Sequence, residues 1–260
     1  MIRRFTASLL AIAVIAVSAA TASATLFDLP LDGNDSTQKW TDLSGGTLHF
    51  GSYPGTANWP SPVAAQSGAG TASLNKVANN GGNTSGPYPS STGIYFGGTS
   101  TTSNVYGGTL AVSESAPVTN LQTVVLQVDI QEALGYDFYN GAAPRLYLNG
   151  SEVALDATYT LKLQEVPSGT YTPPGETEAQ PLYRNTWLFQ WDLSGYSSIS
   201  SFSIEFDGVE HAYLYSLQLD QTDAAYGAAV VPEPSTWSLL ALVGFGSAIL
   251  VCRKRRLATA

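Results

Sequence analysis

The sequence predicts an all-β domain folded as a two-sheet sandwich, and three observations carry that prediction. Between residues 25 and 229 no window repeats apolar residues at i, i+3 and i+4 over the length of a helix. Short β-branched and aromatic runs recur there instead, punctuated by Gly, Pro, Asn and Asp. The chain is also rich in turn formers and poor in charge, with 25 glycines, 14 prolines and only 12% charged residues among 260. Short strands at such spacing fit a sandwich of jelly-roll or concanavalin-like type.

In chain order, residues 26–31 read as a first strand and 47–50 as a second, joined by a loop around Asp32-Gly33-Asn34-Asp35. Residues 51–103 are dominated by Gly, Ser, Thr, Asn and Pro. They read as an excursion over the sheet or a partly disordered insert that touches the core at islands such as 94–96 and 105–106. Gly45-Gly46-Thr47-Leu48 recurs as Gly107-Gly108-Thr109-Leu110, a match that turn chemistry alone can produce. From residue 121 the signals strengthen. Val124, Leu126, Val128 and Ile130 alternate onto one strand face, with Gln127 and Asp129 on the other. Residues 145–148 end in Asn149-Gly150, a hairpin signal because both positions accept positive φ. Further strands are expected at 158–165, 186–193, 201–206 and 212–219.

The two ends differ from this body. Arg3 and Arg4 precede an apolar run from residue 5 to 17, and Ala22-Ser23-Ala24 supplies small residues for a signal peptidase, so residues 1–24 read as a secretory signal peptide. The domain proper is then 25–229. Six of the 11 basic residues lie in the two ends, but only Glu233 of the 20 acidic ones does. The domain between therefore carries five basic against nineteen acidic residues, net −14. That balance disfavours nucleic acid as a partner and leaves divalent cations and neutral or cationic polymers open. The one cysteine, Cys252, lies in the C-terminal end, so no disulfide staples the domain.

Three groups of residues suggest chemistry. Trp187, Phe189 and Trp191 alternate on one strand and share a face. Trp187 and Trp191 are therefore candidates to stack on a glycan such as extracellular polysaccharide, although Leu193 on the same face favours a core role. Glu205-Phe206-Asp207-Gly208-Val209-Glu210 has the E-x-D-x-x-E spacing and resembles the motif of retaining endoglucanases built on a concanavalin-like sandwich. That resemblance makes Glu205, Asp207 and Glu210 candidate catalytic carboxylates, though Asp207-Gly208 also reads as a turn. Asp32, Asn34 and Asp35, with Asp220 and Asp223, offer hard oxygen ligands for a structural Ca²⁺ if the first and last strands pair. Asx turns explain the same residues without a metal. No other cofactor is implied, and catalysis is not the expected role.

The C-terminal residues 230–260 have three parts. Pro232-Glu233-Pro234 is extended and rigid, because proline fixes its own φ and restrains the residue before it. Residues 236–252 are uncharged and long enough for a membrane-spanning helix, and Arg253-Lys254-Arg255-Arg256 closes with positive charge that favours the cytoplasmic side. In that order the parts resemble the PEP-CTERM sorting signal of biofilm- and matrix-forming bacteria. The resemblance implies exosortase as a partner, a membrane-held export intermediate, and delivery to the cell surface or extracellular matrix. It leaves the cargo's role open among a structural or adhesive component, a glycan-binding module and a glycoside hydrolase.

Overall fold

The computed structural model describes residues 25–48, 59, 62–81, 86–172 and 177–231. These build two antiparallel sheets around one shared apolar core. The first sheet runs β11 (Tyr159–Tyr171), β12 (Gln180–Asp192), β8 (Thr123–Gln131), β14 (Tyr213–Thr222), β1 (Asp35–Trp40) and β3 (Ser67–Gly68). Beyond β1, the edge of β14 is taken up by β6 (Ile94–Tyr95), which pairs in turn with β5 (Tyr88–Pro89). The second sheet runs β10 (Ala154–Asp156), β9 (Arg145–Leu148), β13 (Phe202–Val209), β7 (Tyr106–Glu114), β4 (Ser73–Asn79) and β2 (Val63–Ala64). From β7 onward the chain changes sheet at every connection except the hairpins β9–β10 and β11–β12.

The expected alternation on β8 holds. Val124, Leu126, Val128 and Ile130 face the core with Phe189, Trp191 and Leu193 of the β12 region, opposed by Leu110, Val112, Ile204 and Phe206 of the second sheet. Asn149 and Gly150 both take positive φ in the β9–β10 hairpin, as their identity predicts. Within the 51–103 excursion, Ile94 and Phe96 are wholly buried, and the unpredicted β4 pairs along β7. Gly107 to Leu110 belongs to β7 while Gly45 to Leu48 forms a turn, so their shared four residues are no structural repeat.

Several expectations are corrected. Residues 26–31 form no strand, and neither do Thr47 and Leu48; His49 and Phe50 lie outside the described residues. The first strand is instead β1, which pairs with β14 from Asp35↔Thr222 to Trp40↔Leu217. Asp207-Gly208 is no turn either, because β13 continues through it. A glycine is required there, since the ring of Phe96 lies only 2.0 Å from where a Cβ would stand.

The outer face of the first sheet is buried although it is polar. Gln127, Gln190 and Gln218 are all 0% exposed. Residues 25–31 and 224–231 lie across them as two straps. Gln127 accepts from the Phe27 N–H (2.9 Å) and donates to its carbonyl (2.7 Å), which also accepts from Gln218 (3.0 Å). Gln190 serves the other strap, donating to the carbonyls of Tyr226 and Ala228 and accepting from the Val230 N–H at 2.7 Å. A primary amide carries the same donor and acceptor as a peptide group, so these side chains replace a neighbouring strand.

Two buried carboxylates illustrate how local donors decide a charge. At Glu114 burial acts upward, but hydrogen bonds from Thr71, the Ala116 N–H, Gln38 and Gln221 outweigh it and hold its pKa below the ordinary value. At Asp220 burial wins over donors on Thr37, Gln218 and Gln127 and over the charge of Lys39, lifting the pKa to about 6. Between its ordinary 3.8 and that value the native chain keeps a proton the unfolded chain has lost, so stability falls as pH rises through this window. Asp220→Asn removes the charge and sets an N–H₂ beside Gln218, whose Oε1 has no hydrogen-bond partner among the described residues. In urea unfolding the variant should be more stable than wild type by roughly 1–3 kcal/mol at pH 7, the difference vanishing near pH 4.

Candidate functional site

β8 ends at Gln131 in the first sheet and β9 begins at Arg145 in the second, so residues 132–144 must cross one end of the sandwich. Local chemistry pins this crossing. Ala133 and Tyr136 exchange both backbone hydrogen bonds (2.9 and 3.1 Å) around Leu134 and Gly135, each at positive φ. Phe138 then plugs the end of the core, with ring centroids 5.6 Å from Phe189 and 6.2 Å from Phe206. Asp137 accepts from Asn185 (2.8 Å) and Trp187 (2.9 Å). Burial raises the Asp137 pKa against those donors and Lys162, and the Glu165 charge adds to the rise. Three clefts follow one another along the crossing.

The middle cleft, about 340 Å³, contains Trp187 with Tyr136, Asp137, Thr160 and Lys162. The Trp187 ring is stacked on Phe189 (6.1 Å, 19°), and the Lys162 ammonium sits 5.1 Å from its centroid. A sugar face could reach it only by displacing that lysine. Trp191 is 1% exposed and donates to the Leu155 carbonyl at 3.0 Å, so it has no face to offer a glycan and belongs to the core.

On the second sheet a groove of about 340 Å³ holds Glu205 and Asp207, flanked by Arg145, Tyr147, Tyr139 and Thr109. Asp207 accepts from Thr109 at 2.5 Å. Burial and then the Asp207 charge push the Glu205 pKa up. Glu210 does not join them. β13 ends at Val209, and Glu210 lies in the turn beyond it, off the strand face that carries Glu205 and Asp207. The Glu210 carboxylate accepts from the Ser100 N–H at 3.0 Å instead. The structure thus brings two of the three E-x-D-x-x-E carboxylates together and spends the third on a loop.

The third cleft, about 230 Å³, has Tyr95, Tyr213 and Tyr171 around Gln131 and Glu132. Tyr88, Tyr95 and Tyr213 are direct cross-strand partners on β5, β6 and β14, and Tyr213 pairs with Gln131 of β8. A bulge between Leu214 and Ser216 adds Tyr215, which donates to Gln131 at 2.9 Å. Arg184 stacks on Tyr215 at 4.0 Å while binding the wholly buried Asp129 through Nε (2.7 Å) and Nη2. These tyrosines escape a search for strand aromatics. Their one sequence signal is that Tyr213 and Tyr215 alternate with Leu214 on what should be a polar face.

The proposed calcium ligands are only partly gathered. β1–β14 pairing sets Asn34 against Asp223, whose Oδ1 accepts the Asn34 N–H at 2.7 Å. Asp32 and Asp35 are exposed, whereas Asp220 is buried beneath the N-terminal strap and bonded to Thr37 and Gln218. Among the described residues no three His, Cys, Asp or Glu side chains converge as a metal-holding group.

Comparison with known proteins identifies one feature. The PEP-CTERM protein-sorting motif, the signal of exosortase substrates, matches residues 230–256. Neither the curated proteins nor the solved structures contain a match to the chain. The motif residues Pro232, Glu233, Pro234, Arg253, Lys254, Arg255 and Arg256 lie outside the described residues, as do the signal peptide and the apolar segment 236–252. Among the described residues no helix is long and apolar enough to cross a membrane.

The two tryptophans should separate in a stability measurement. Trp191→Ala should cost roughly 3–5 kcal/mol in urea unfolding, the range for a fully buried large aromatic. Trp187→Ala should cost clearly less, because its ring lies at the rim of a cleft.

Proposed function

We propose that this exosortase-sorted protein serves outside the cell as a non-enzymatic structural or adhesive component, with the sandwich as its working part. The carrying observation is the junction between cargo and signal. Val230 is still packed, 5% exposed and held by Gln190, and only Val231 separates it from Pro232. The signal is thus joined directly to the domain it addresses. Alternation of strands between the sheets, with β1 paired to β14, supports a jelly-roll reading of that domain. The diversion of Glu210 to Ser100 weighs against a hydrolase site of the E-x-D-x-x-E kind, whose third carboxylate would have to share the groove with Glu205 and Asp207.

In this reading the tail is a removable address, with residues 236–252 holding an intermediate at the membrane until exosortase acts near Pro-Glu-Pro. Fractionation of the native host, with intact-mass measurement of the surface protein, tests it. The expected product lacks Arg253 to Arg256. A strain without exosortase should retain the longer chain in its membrane fraction, and Glu233→Ala should do the same in the parent strain. A surface protein that keeps its basic tail would overturn the proposal.

A further inference from the structure

We propose that the cleft of Tyr95, Tyr171 and Tyr213 binds a pyranose chain bearing free amines, that is, a cationic amino-sugar polymer. The inference deepens the adhesive reading and rests on it only for placing the ligand outside the cell.

Ring geometry gives the first argument. Tyr95 and Tyr213 stack on each other with centroids 4.6 Å apart at 33°, and Tyr215 stacks behind Tyr213 at 6.2 Å, so an occupant meets the rim of this stack together with the Tyr171 ring of β11 that lines the same cleft. Pyranose CH faces suit such surfaces, and an ammonium is attracted to them by the ring quadrupole.

Charge is the second. Among the described residues Glu132 is the only carboxylate lining the cleft, and no lysine or arginine lines it. Its Oε1 accepts the Tyr183 N–H at 3.2 Å, while Oε2 has no hydrogen-bond partner among the described residues. Burial and the Asp137 charge raise its pKa, with Glu165 adding to the rise and the Tyr183 N–H and Lys162 opposing it, so a cation here would relieve a real cost. The net −14 of the domain draws cationic polymers and repels anionic ones.

Third, polar groups are already oriented. The Gln131 Oε1 accepts from Ser168 (2.8 Å) and Tyr215 (2.9 Å), leaving its N–H₂, unbonded among the described residues, for a sugar hydroxyl. His211 bonds the Ser100 carbonyl through Nε2 (2.9 Å), so its Nδ1 accepts the Tyr95 hydroxyl (2.6 Å) and fixes that ring.

The test is calorimetric titration of the full chain in mild detergent with β-linked glucosamine oligomers, their fully N-acetylated counterparts and glucose oligomers of equal length. Free-amine oligomers should bind best. Tyr213→Ala should weaken them about tenfold or more. Glu132→Gln should erase the preference for the free amine over the acetylated form, and Tyr196→Ala, an exposed tyrosine elsewhere, should change nothing. Near-ultraviolet dichroism confirms that each variant is folded, and Tyr171→Ala replaces Tyr213→Ala should the latter fail. Absence of binding to free-amine oligomers, binding that survives both cleft substitutions, or a preference for acetylated or uncharged chains would each overturn the proposal. Sorting is read separately by fractionation, which neither cleft substitution should alter, so failure here is distinguishable from failure of the exported-protein reading.

Discussion

A sheet covered on both faces must find partners for its buried polar groups, and in this protein three glutamines meet much of that demand. Gln127, Gln190 and Gln218 stand on the outer face of the central strands, where water would ordinarily serve them. The straps at 25–31 and 224–231 replace the water, each glutamine meeting strap backbone and Gln218 also donating to the Asp220 carboxylate. An unpaired buried amide costs about 1–3 kcal/mol, so the straps and the glutamines stabilise one another or fail together. The sandwich therefore has a third, partial layer built from its own chain ends. Removal of either strap would expose a row of polar residues already shaped to hold extended chain.

The same constraint explains what was legible in the sequence. Strands with one apolar face, such as β8 and β12, could be read directly because alternation of Val, Leu and Ile carries that signal at any burial. Residues 26–31 resemble a strand in sequence because they are mostly apolar. The backbone of Phe27 does pair, but with the side chains of Gln127 and Gln218, which leave no mark in local sequence. β4 escaped for the opposite reason: Ser73, Asn75 and Lys76 make it a poor strand by composition, and pairing with β7 overrides that propensity. Asp207-Gly208 looked like a turn until Phe96, more than a hundred residues away, supplied the reason for its glycine.

Of the candidate site, sequence reasoning found side chains but not their arrangement. Trp187, Glu205 and Asp207 all border the crossing at 132–144, which carries no motif of its own because its meaning lies in where it passes. Ala143 lines both the Trp187 cleft and the Glu205 groove, and Leu134 and Gly135 stand on either side of the boundary between the tyrosine and Trp187 clefts. Val230, next to the end of the C-terminal strap, is held at Gln190 opposite Val125, six residues along β8 from Gln131. At strand rise that is roughly 20 Å. The strap that leads to the sorting motif is thus held well away from the tyrosine cleft on the first sheet.

The sheet edge bears on how such a domain would join a matrix. β11 is a 13-residue strand at the end of the first sheet, long enough to recruit a strand from a second molecule. Its sequence resists that use. Lys162 carries charge on it, Pro167 removes a donor, and two register shifts bend it near those positions. Lys162 also reaches across to the Trp187 ring and pairs with Glu165 at 2.8 Å, which ties the edge to the domain's own surface. An edge blunted in this way argues against polymerisation by strand exchange, so the adhesive role proposed above would fall to side-chain surfaces such as the clefts along the crossing.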